Sequence, residues 1–495
     1  MSTNMVMGAT NNSRNKTIAI YLLTGSLIIF SMMVFGVLML LAQGKMIDVD
    51  PAFFYEIMTV HGTGMIGAAA LAAAAVMWFF LSKYVKLSKA ILITNFITFI
   101  IGVLMVLVGI FVFDFAGAWT FLYPLPAISA GGWEMAGATL YLGGMLILGV
   151  GFLLLNLDVA RAIIKQYGSL GEGLGWSIVF GKVKGYGPPA AVVASTMVSI
   201  VNTTALIAGA TALVMNLINL YIPTIKIDPL LAKNLTYAFG HIFANSIIYM
   251  GVIAVYEILA AYTNRPWKAN RPFLIAWNCS TLFTITIYTH HLLMDFALPK
   301  WMIIIGQVLS YANGLPVLVI TAYGALMIVY RSGIKWDIAS SFMFLSMFGW
   351  VIGVVPAIID ATIVVNHVMH NTKWVPGHFH MYMGLGATAM LFGFMYYLAK
   401  VNKKEKETAI DGISFWVYIM FFIGLCGSFL FSGKVGAPRR WAEHFPEWIP
   451  YDRMGAIFGI FIVLAVLIFI IRFWNFCRSI DYKFKEKIGS DRHVA

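Results

Sequence analysis

Six histidines lie inside strongly apolar segments of this 495-residue chain, where an ionisable side chain is costly and is a functional candidate. Two of them, His378 and His380, are two residues apart. On a helix such a pair points about 200° apart, so the two rings face opposite sides and cannot bind one metal ion. Each ring can instead bind a separate metal beside the helix. The other members of the set are His61, His241, His290 and His291.

Three of these histidines can converge on one ion. Adjacent His290 and His291 point about 100° apart, which allows convergence if the helix is locally distorted. His241 can supply a third nitrogen. Three imidazoles with an open position suit copper, and they suit non-heme iron less well because that metal prefers an added carboxylate. His61 then remains as a partner for either histidine of the first pair, so the set predicts two hemes and one three-histidine metal.

Twelve apolar segments must position these side chains, and each is long enough to cross a bilayer core of about 30 Å. The chain is 60% hydrophobic and 11% charged, whereas a soluble domain carries roughly twice that share of charge. These values predict an all-α, polytopic membrane protein. The predicted first to twelfth spans cover residues 18–42, 57–81, 88–114, 136–157, 192–221, 233–263, 272–296, 299–330, 336–365, 374–399, 412–432 and 453–477.

The distribution of positive charge predicts the orientation. The net charge is +12, from 33 Lys and Arg against 21 Asp and Glu. Most of the basic residues fall on one side of the twelve spans, which is the positive-inside pattern and argues against a nucleic-acid partner. We therefore expect cytoplasmic tails at 1–17 and 478–495, and a catalytic domain at 18–477, in the inner (cytoplasmic) membrane.

The six histidines share a depth in this topology, although they come from the second, sixth, seventh and tenth spans. At about 1.5 Å of rise per residue, all six fall roughly 6–12 Å below the outer surface. Scattered core histidines would not be expected to form one layer. A protein with two hemes and a metal explains the layer. A twelve-span transporter with a histidine proton relay remains the alternative from another class.

Ordered motifs around these histidines resemble subunit I of the heme-copper oxygen and nitric oxide reductase superfamily. They are "TVHGTGM" on the second span, "FGHIF" on the sixth, "YTHHLL" on the seventh and "HNTKWVPGHFH" leading into the tenth. The last string closely resembles the B-type branch, and "WTFLYPLP" and "APRRW" resemble outer-loop segments of the family. The resemblance covers essentially the whole chain and implies twelve helices around two hemes and a copper ion.

The resemblance also implies a role for each matched histidine. His61 and His380 would be the axial ligands of a low-spin heme. His378 would be the proximal ligand of a high-spin heme whose other face is open. The second metal would be held by His241, His290 and His291.

Three outer residues are implied to bind the heme propionates or the water above them. Arg439 and Arg440 form a pair of cationic donors, which suits carboxylates, and His370 is the third candidate. A plain outer-rim charge is the alternative for the arginines. His444 is expected to be solvated.

The position four residues after His241 departs from the family pattern. A- and B-type oxygen reductases have a tyrosine there, which is bonded to a metal-ligating histidine and contributes an electron and a proton to O–O cleavage. Here the residue is Asn245, about one helical turn away on the same face. The C-type branch places its tyrosine six residues before the histidine pair, where this chain has Thr284. Tyr249 and Tyr288 are not expected to substitute.

This departure predicts the substrate. Splitting dioxygen in one step needs four electrons at the site, and an amide cannot supply the one that the tyrosine gives. Joining two nitric oxide molecules into nitrous oxide and water needs only two electrons and two protons. We therefore expect a respiratory nitric oxide reductase, in which Asn245 donates a hydrogen bond to a bound N–O oxygen. The alternative is a terminal oxygen reductase in which Asn245 is a neutral replacement.

The electron donor is expected to be a separate component. The chain has three cysteines, but neither a CxxCH motif nor a paired-cysteine copper motif. Electrons would come from a partner subunit carrying a cupredoxin or a cytochrome c, or from a quinol. Glu257 lies about 24 Å along the helix from His241 and cannot bind the same metal. It is predicted to be either an inner-rim charge or a proton-uptake residue.

Overall fold

The chain folds into helices, as the apolar segments predicted. The computed structural model describes residues 3–295, 297–403 and 406–491. Within these ranges the extended structure is a single isolated bridge between Thr372 and Pro438. The all-α, polytopic fold class is therefore confirmed.

Ten helices of the described residues are long and apolar enough to cross a membrane. They correspond to the predicted first to sixth and ninth to twelfth spans. The first helix already begins within the predicted tail 1–17, and the last extends into the tail 478–495, of which residues 492–495 lie outside the described residues. The helices are Thr3–Gln43, Pro51–Leu81, Lys89–Phe111, Met135–Tyr167, Ala190–Tyr221, Pro229–Thr263, Ile338–Asp360, Trp374–Val401, Ala409–Lys434 and Ile449–Asp491.

The predicted seventh and eighth spans are helical but interrupted, so they are not among the ten long helices of the described residues. The seventh tightens into a 3₁₀-helix that contains both adjacent histidines. The eighth contains Pro316, which has no backbone N–H to donate, and a π-helical turn follows it. The segments are Arg271–Thr286 and Ile287–Leu292 in the seventh span, and Lys300–Val317, Leu318–Ala322 and Tyr323–Val329 in the eighth.

Side-chain caps fix where the histidine-bearing helices begin. Asp50 accepts hydrogen bonds from two backbone N–H groups at the start of the second span, and Asp228 accepts one at the start of the sixth. A proline follows each cap, where its missing N–H costs nothing. His61 and His241 lie about three to four turns beyond these caps. The two rings therefore come to a similar depth.

The histidine-bearing helices form the centre of the bundle. In the second, sixth and tenth spans 78%, 83% and 83% of the apolar window is buried inside the protein. The corresponding shares in the first, third, fourth, ninth, eleventh and twelfth spans are 28–44%. The fifth span is also 78% buried, so it lies at the centre of the bundle with the helices that carry His61, His241, His378 and His380.

Candidate active site

All six predicted histidines line one cavity of about 500 Å³. Its walls are largely apolar, and Arg439, Arg440 and Asp360 are also among the lining residues. The structure therefore brings together side chains from four spans, as their shared depth predicted. A cavity between buried helices with a few converging polar groups is the usual form of a cofactor site.

Three of the histidines form a group that can hold one metal ion. Ring nitrogens of His241, His290 and His291 all lie within 4.8 Å of one another. The adjacent pair lies in the 3₁₀ segment of the seventh span, which provides the local distortion that their convergence requires. His241 Nδ1 and His291 Nε2 are 3.0 Å apart. Two nitrogens that face each other at this distance are well placed to bind one cation.

Neighbouring side chains orient this triad. The Ser310 hydroxyl donates to the Gly306 carbonyl, so its oxygen is free to accept from His290 Nδ1 at 3.0 Å. His290 Nε2 is then left for a metal. The His291 ring stacks on Tyr237, with ring centres 5.0 Å apart and planes 12° apart. The sequence carries no signal for Ser310 because this contact joins two interrupted spans.

The Asn245 side chain contacts the triad directly. Its amide group lies 2.7 Å from His241 Nε2, within hydrogen-bond distance, and it lines the same cavity. The other ring nitrogen, Nδ1, faces His291. The amide is therefore placed to fix the orientation of the His241 ring. The helical spacing predicted that the two side chains are close, but not this contact.

The hydroxyls of Tyr249 and Tyr288 form hydrogen bonds to residues other than the triad histidines. Tyr249 lines the cavity, and its hydroxyl is 3.5 Å from Thr284 Oγ1. The Tyr288 hydroxyl donates to Asn234 Oδ1 at 3.4 Å. In the part of the chain that the structure describes, the residue hydrogen-bonded to His241 Nε2 is an amide and not a phenol.

His61 and His380 form a second arrangement suited to a metal. Their ring centres are 6.4 Å apart and their planes differ by 15°. His61 Nδ1 donates to the Met32 carbonyl at 2.6 Å, and His380 Nδ1 donates to the Pro376 carbonyl at 2.7 Å. Both rings therefore keep Nε2 for a metal. With metal–nitrogen bonds of about 2 Å, two imidazoles on opposite sides of one ion have centres roughly 6 Å apart.

His378 belongs to the same helical turn as His380, so the two rings leave the helix about 200° apart. His378 lines the cavity, and its buried Nδ1 has no hydrogen-bond partner among the described atoms. The helix becomes π-helical over Met381–Thr388, directly after this pair. Such π turns frequently accompany functional sites.

Both arginines of the pair line the cavity, with Arg439 partly buried and Arg440 exposed. Arg439 Nε is enclosed without a hydrogen-bond partner among the described atoms, and Arg440 donates to Thr120 Oγ1 at 2.6 Å. Burial and the adjacent Arg440 charge lower the pKa of Arg439 to about 10. A cation held in this way favours an anionic ligand, and a carboxylate matches the guanidinium geometry.

The two other outer histidines differ from each other. His370 is not among the residues that line the cavity, but it precedes Asn371, whose carbonyl accepts from the Arg439 N–H at 3.0 Å. Burial and the charge of Arg439 lower the pKa of His370 to about 4. The expectation that His444 is solvated is wrong. Its side chain is fully buried, with Nδ1 at 2.6 Å from Asp452 and Nε2 donating to the Pro438 carbonyl at 3.2 Å.

Trp119 covers the cavity between the second and sixth spans, and two glycines make room for it. A Cβ atom on Gly62 would lie 3.2 Å from the indole, and one on Gly240 would lie 2.5 Å from it. Each glycine is adjacent in sequence to a histidine of the site. These His-Gly and Gly-His pairs are the signal by which the sequence could have identified this contact.

Glu257 lies away from the triad, as its sequence separation predicted. Its carboxylate pairs with Lys83 at 3.0 Å and accepts from the Tyr84 hydroxyl at 2.7 Å. Deeper in the sixth span, the Tyr256 hydroxyl is 3.1 Å from Thr321 Oγ1. Both predicted roles of Glu257, an inner-rim charge and a proton-uptake residue, fit these contacts.

Comparisons with known proteins agree with this geometry. Residues 16–461 match the profile of the family described as cytochrome c and quinol oxidase polypeptide I. Cytochrome c oxidase subunit 1 of Thermus thermophilus is 26% identical over 275 residues, covering 49% of this chain and 48% of that protein. The Cereibacter sphaeroides protein of the same name is 25% identical over 256 residues, covering 49% and 44%. The chain spans about half the length of these curated relatives.

A solved structure shows the same fold. A heme-copper terminal oxidase dimer studied by cryo-EM matches with a TM-score of 0.77 at 18% identity, covering 94% of this chain and 84% of that chain. The family match extends over nearly the whole sequence, so it excludes the alternative of a twelve-span transporter. The chain belongs to the cytochrome c and quinol oxidase polypeptide I family, the heme-copper oxidoreductases.

Proposed function

We propose that this chain is the catalytic subunit of a respiratory enzyme that reduces two nitric oxide molecules to nitrous oxide and water. The observation that carries the proposal is the Asn245 amide, which contacts His241 Nε2 at 2.7 Å. A- and B-type oxygen reductases have an oxidisable tyrosine at this position. The nitric oxide reaction uses two electrons and two protons, so it does not require a phenol.

We infer the cofactor ligands from the same geometry. His61 and His380 would hold a low-spin heme, and His378 a high-spin heme. When bound, the heme held by His378 and the triad metal would supply the two electrons for N–N coupling. Copper is the favoured triad metal, because the metal-binding group among the described residues contains histidines and no carboxylate. The propionates would be bound by Arg439 and Arg440, with His370 nearby.

The side chains of this protein would then have separate tasks. Asn245 and Ser310 hold two triad rings in orientation, which keeps the metal ligands preorganised. The apolar walls exclude bulk water from the cavity. An Asn245 amide directed at the cavity can also donate to a substrate oxygen as negative charge develops on it.

A second candidate function is dioxygen reduction to water, and the comparisons support it. The curated relatives are named cytochrome c oxidase subunit 1, and the solved structural match is a terminal oxidase. In that case Asn245 would be a neutral replacement for the tyrosine. Either function needs an electron donor, which we propose to be a cupredoxin or cytochrome c subunit, or a quinol.

We place the enzyme in the inner (cytoplasmic) membrane, with both termini cytoplasmic and the cavity toward the outer side. The supporting observation is the excess of Lys and Arg on the side of the chain termini.

The purified complex tests the substrate assignment directly. We expect nitrous oxide to form from nitric oxide at a rate at least about tenfold above dioxygen consumption with the same reductant, because one electron source for O–O cleavage is absent. Gas turnover would be measured with an electrode and by mass spectrometry. Faster dioxygen uptake, without nitrous oxide formation, would favour the second candidate function.

Replacing Asn245 with Leu tests the residue that carries the proposal. The side chain keeps its branched shape but loses the hydrogen bond to His241, so we expect nitric oxide turnover to fall about tenfold or more. Both heme spectra should remain, because Asn245 is not a proposed ligand. Thr284→Val is the matched control, since it removes a buried hydroxyl on the seventh span that does not line the cavity. Undiminished turnover in Asn245→Leu would remove the amide from the mechanism.

A further inference from the structure

We propose that a buried ion pair, Lys373 with Asp452, positions the arginine segment and sets the reduction potential of the low-spin heme held by His61 and His380. The inference rests on the proposed heme ligands and not on the choice of gas. It assigns a role to two charged residues that lie outside the cavity lining.

The pair is completely enclosed. The Lys373 side chain is 4% exposed and that of Asp452 is 1% exposed, and the ammonium donates to the carboxylate. Lys373 Nζ also donates to Gln43 Oε1 at 2.7 Å, and the second Asp452 oxygen is 2.6 Å from His444 Nδ1. Burying such a pair costs desolvation energy that apolar side chains would not cost. Stability alone therefore does not explain why it is there.

The backbone beside Lys373 is joined to the segment that carries the arginine pair. The Lys373 N–H donates to the Ala437 carbonyl at 2.8 Å, and the Arg439 N–H donates to the Asn371 carbonyl at 3.0 Å. Thr372 and Pro438 form the isolated bridge between the same two backbone segments. The residues just before the tenth span therefore fix the position of the backbone that carries Arg439 and Arg440.

Gln43 and His444, the hydrogen-bond partners of the ion pair, also contact the segment that carries the arginines. Gln43 Nε2 donates to the Trp441 carbonyl at 2.7 Å, and His444 Nε2 donates to the Pro438 carbonyl at 3.2 Å. The ion pair therefore connects the end of the first span, the start of the twelfth and both flanks of the arginine pair. A shift of the pair would move the groups proposed to bind the propionates.

The charge of Lys373 is also directed at the low-spin site. Its Nζ lies 5.6 Å from the centre of the Phe429 ring, and that ring is 5.2 Å from the His380 ring in an edge-on contact. Phe429 is buried, so apolar material separates the ammonium from the histidine. Charges in such surroundings are weakly screened. A nearby cation disfavours the more positive oxidised iron, and a nearby carboxylate favours it.

Potentiometric titration of the low-spin heme in the purified complex tests the proposal. We expect Lys373→Met to lower its midpoint potential, Asp452→Asn to raise it, and the double variant to return toward the wild-type value. A purely structural role would move both single variants in the same direction. Lys373→Arg keeps the positive charge and should keep the potential.

A matched pair at the other end of the bundle supplies the control. Arg472 Nε pairs with buried Asp411 at 3.0 Å in the first turn of the eleventh span, about 27 Å along that helix from Phe429. Arg472→Met should reduce thermal stability without moving the potential. Shifts of the same sign in both single variants, or an unmoved potential in both, would overturn this proposal. Absence of a low-spin spectrum in the wild type would instead overturn the proposed heme ligands.

Discussion

Replacing His290 with Ala is expected to abolish gas turnover and remove the triad metal while both hemes stay bound. The change leaves two of three nitrogens, because among the described residues the group that can hold a metal consists of His241, His290 and His291. Loss of an outer-shell partner alone typically costs 10–100-fold in metal affinity or activity, so loss of a ligand should cost at least about 100-fold. Metal content by mass spectrometry, heme spectra and turnover measure the three outcomes.

Ser310→Ala should give a smaller loss of triad metal than His290→Ala. The variant keeps all three ligands and removes only the hydroxyl that accepts from His290 Nδ1 at 3.0 Å. We expect an intermediate loss of metal affinity, within the range of about 10–100-fold found for such partners. A full complement of copper in His290→Ala would contradict the triad assignment, whatever the result for Ser310→Ala.

The positions of the six histidines could be predicted because two simple periodicities fix them. Span length sets the depth of each residue in a bilayer, and the helical repeat sets its direction. His378 and His380 illustrate this, since they fall in one regular helical turn and their divergence follows from geometry. Family resemblance then selected His380 rather than His378 as the partner of His61, and their parallel rings at 6.4 Å agree with that choice.

The partners of these histidines could not be predicted in the same way. His61 and His380 donate to the backbone carbonyls of Met32 and Pro376, and a carbonyl carries no residue-type signal. The burial of His444 depends on Asp452 and Pro438, which meet only after the outer loop has folded. Contacts between loops depend on closure of the whole chain and have no local periodicity.

The interruptions of the seventh and eighth spans show a third limit. Composition correctly identified both segments as apolar, and Pro316 is visible in the sequence. However, the 3₁₀ turn at Ile287–Leu292 contains no proline or glycine that would mark it. It is accompanied by convergence of its two histidines with His241, so tertiary contacts override the local helical preference there.

Replacing His61 with Ala is expected to remove the low-spin heme signal while leaving the high-spin heme and the triad metal in place. The substitution leaves His380 without the ring that faces it at 6.4 Å, and a single imidazole cannot form a six-coordinate bis-histidine site. Absorption and electron paramagnetic resonance spectra of the purified complex would show the loss. His367→Ala is the matched control, because His367 is exposed and should leave every signal unchanged.

A subtler variant separates ligand loss from general damage. A Cβ atom on Gly36 of the first span would lie 2.9 Å from His61 Cε1, so Gly36→Ala must displace the ring without removing it. We expect this variant to keep the heme but to broaden or shift its low-spin signal. Loss of both hemes in His61→Ala would point to misfolding, in which case the graded response of Gly36→Ala decides the matter. An unchanged low-spin signal in both variants would exclude His61 as an axial ligand, since neither removing nor moving the ring would then affect the iron.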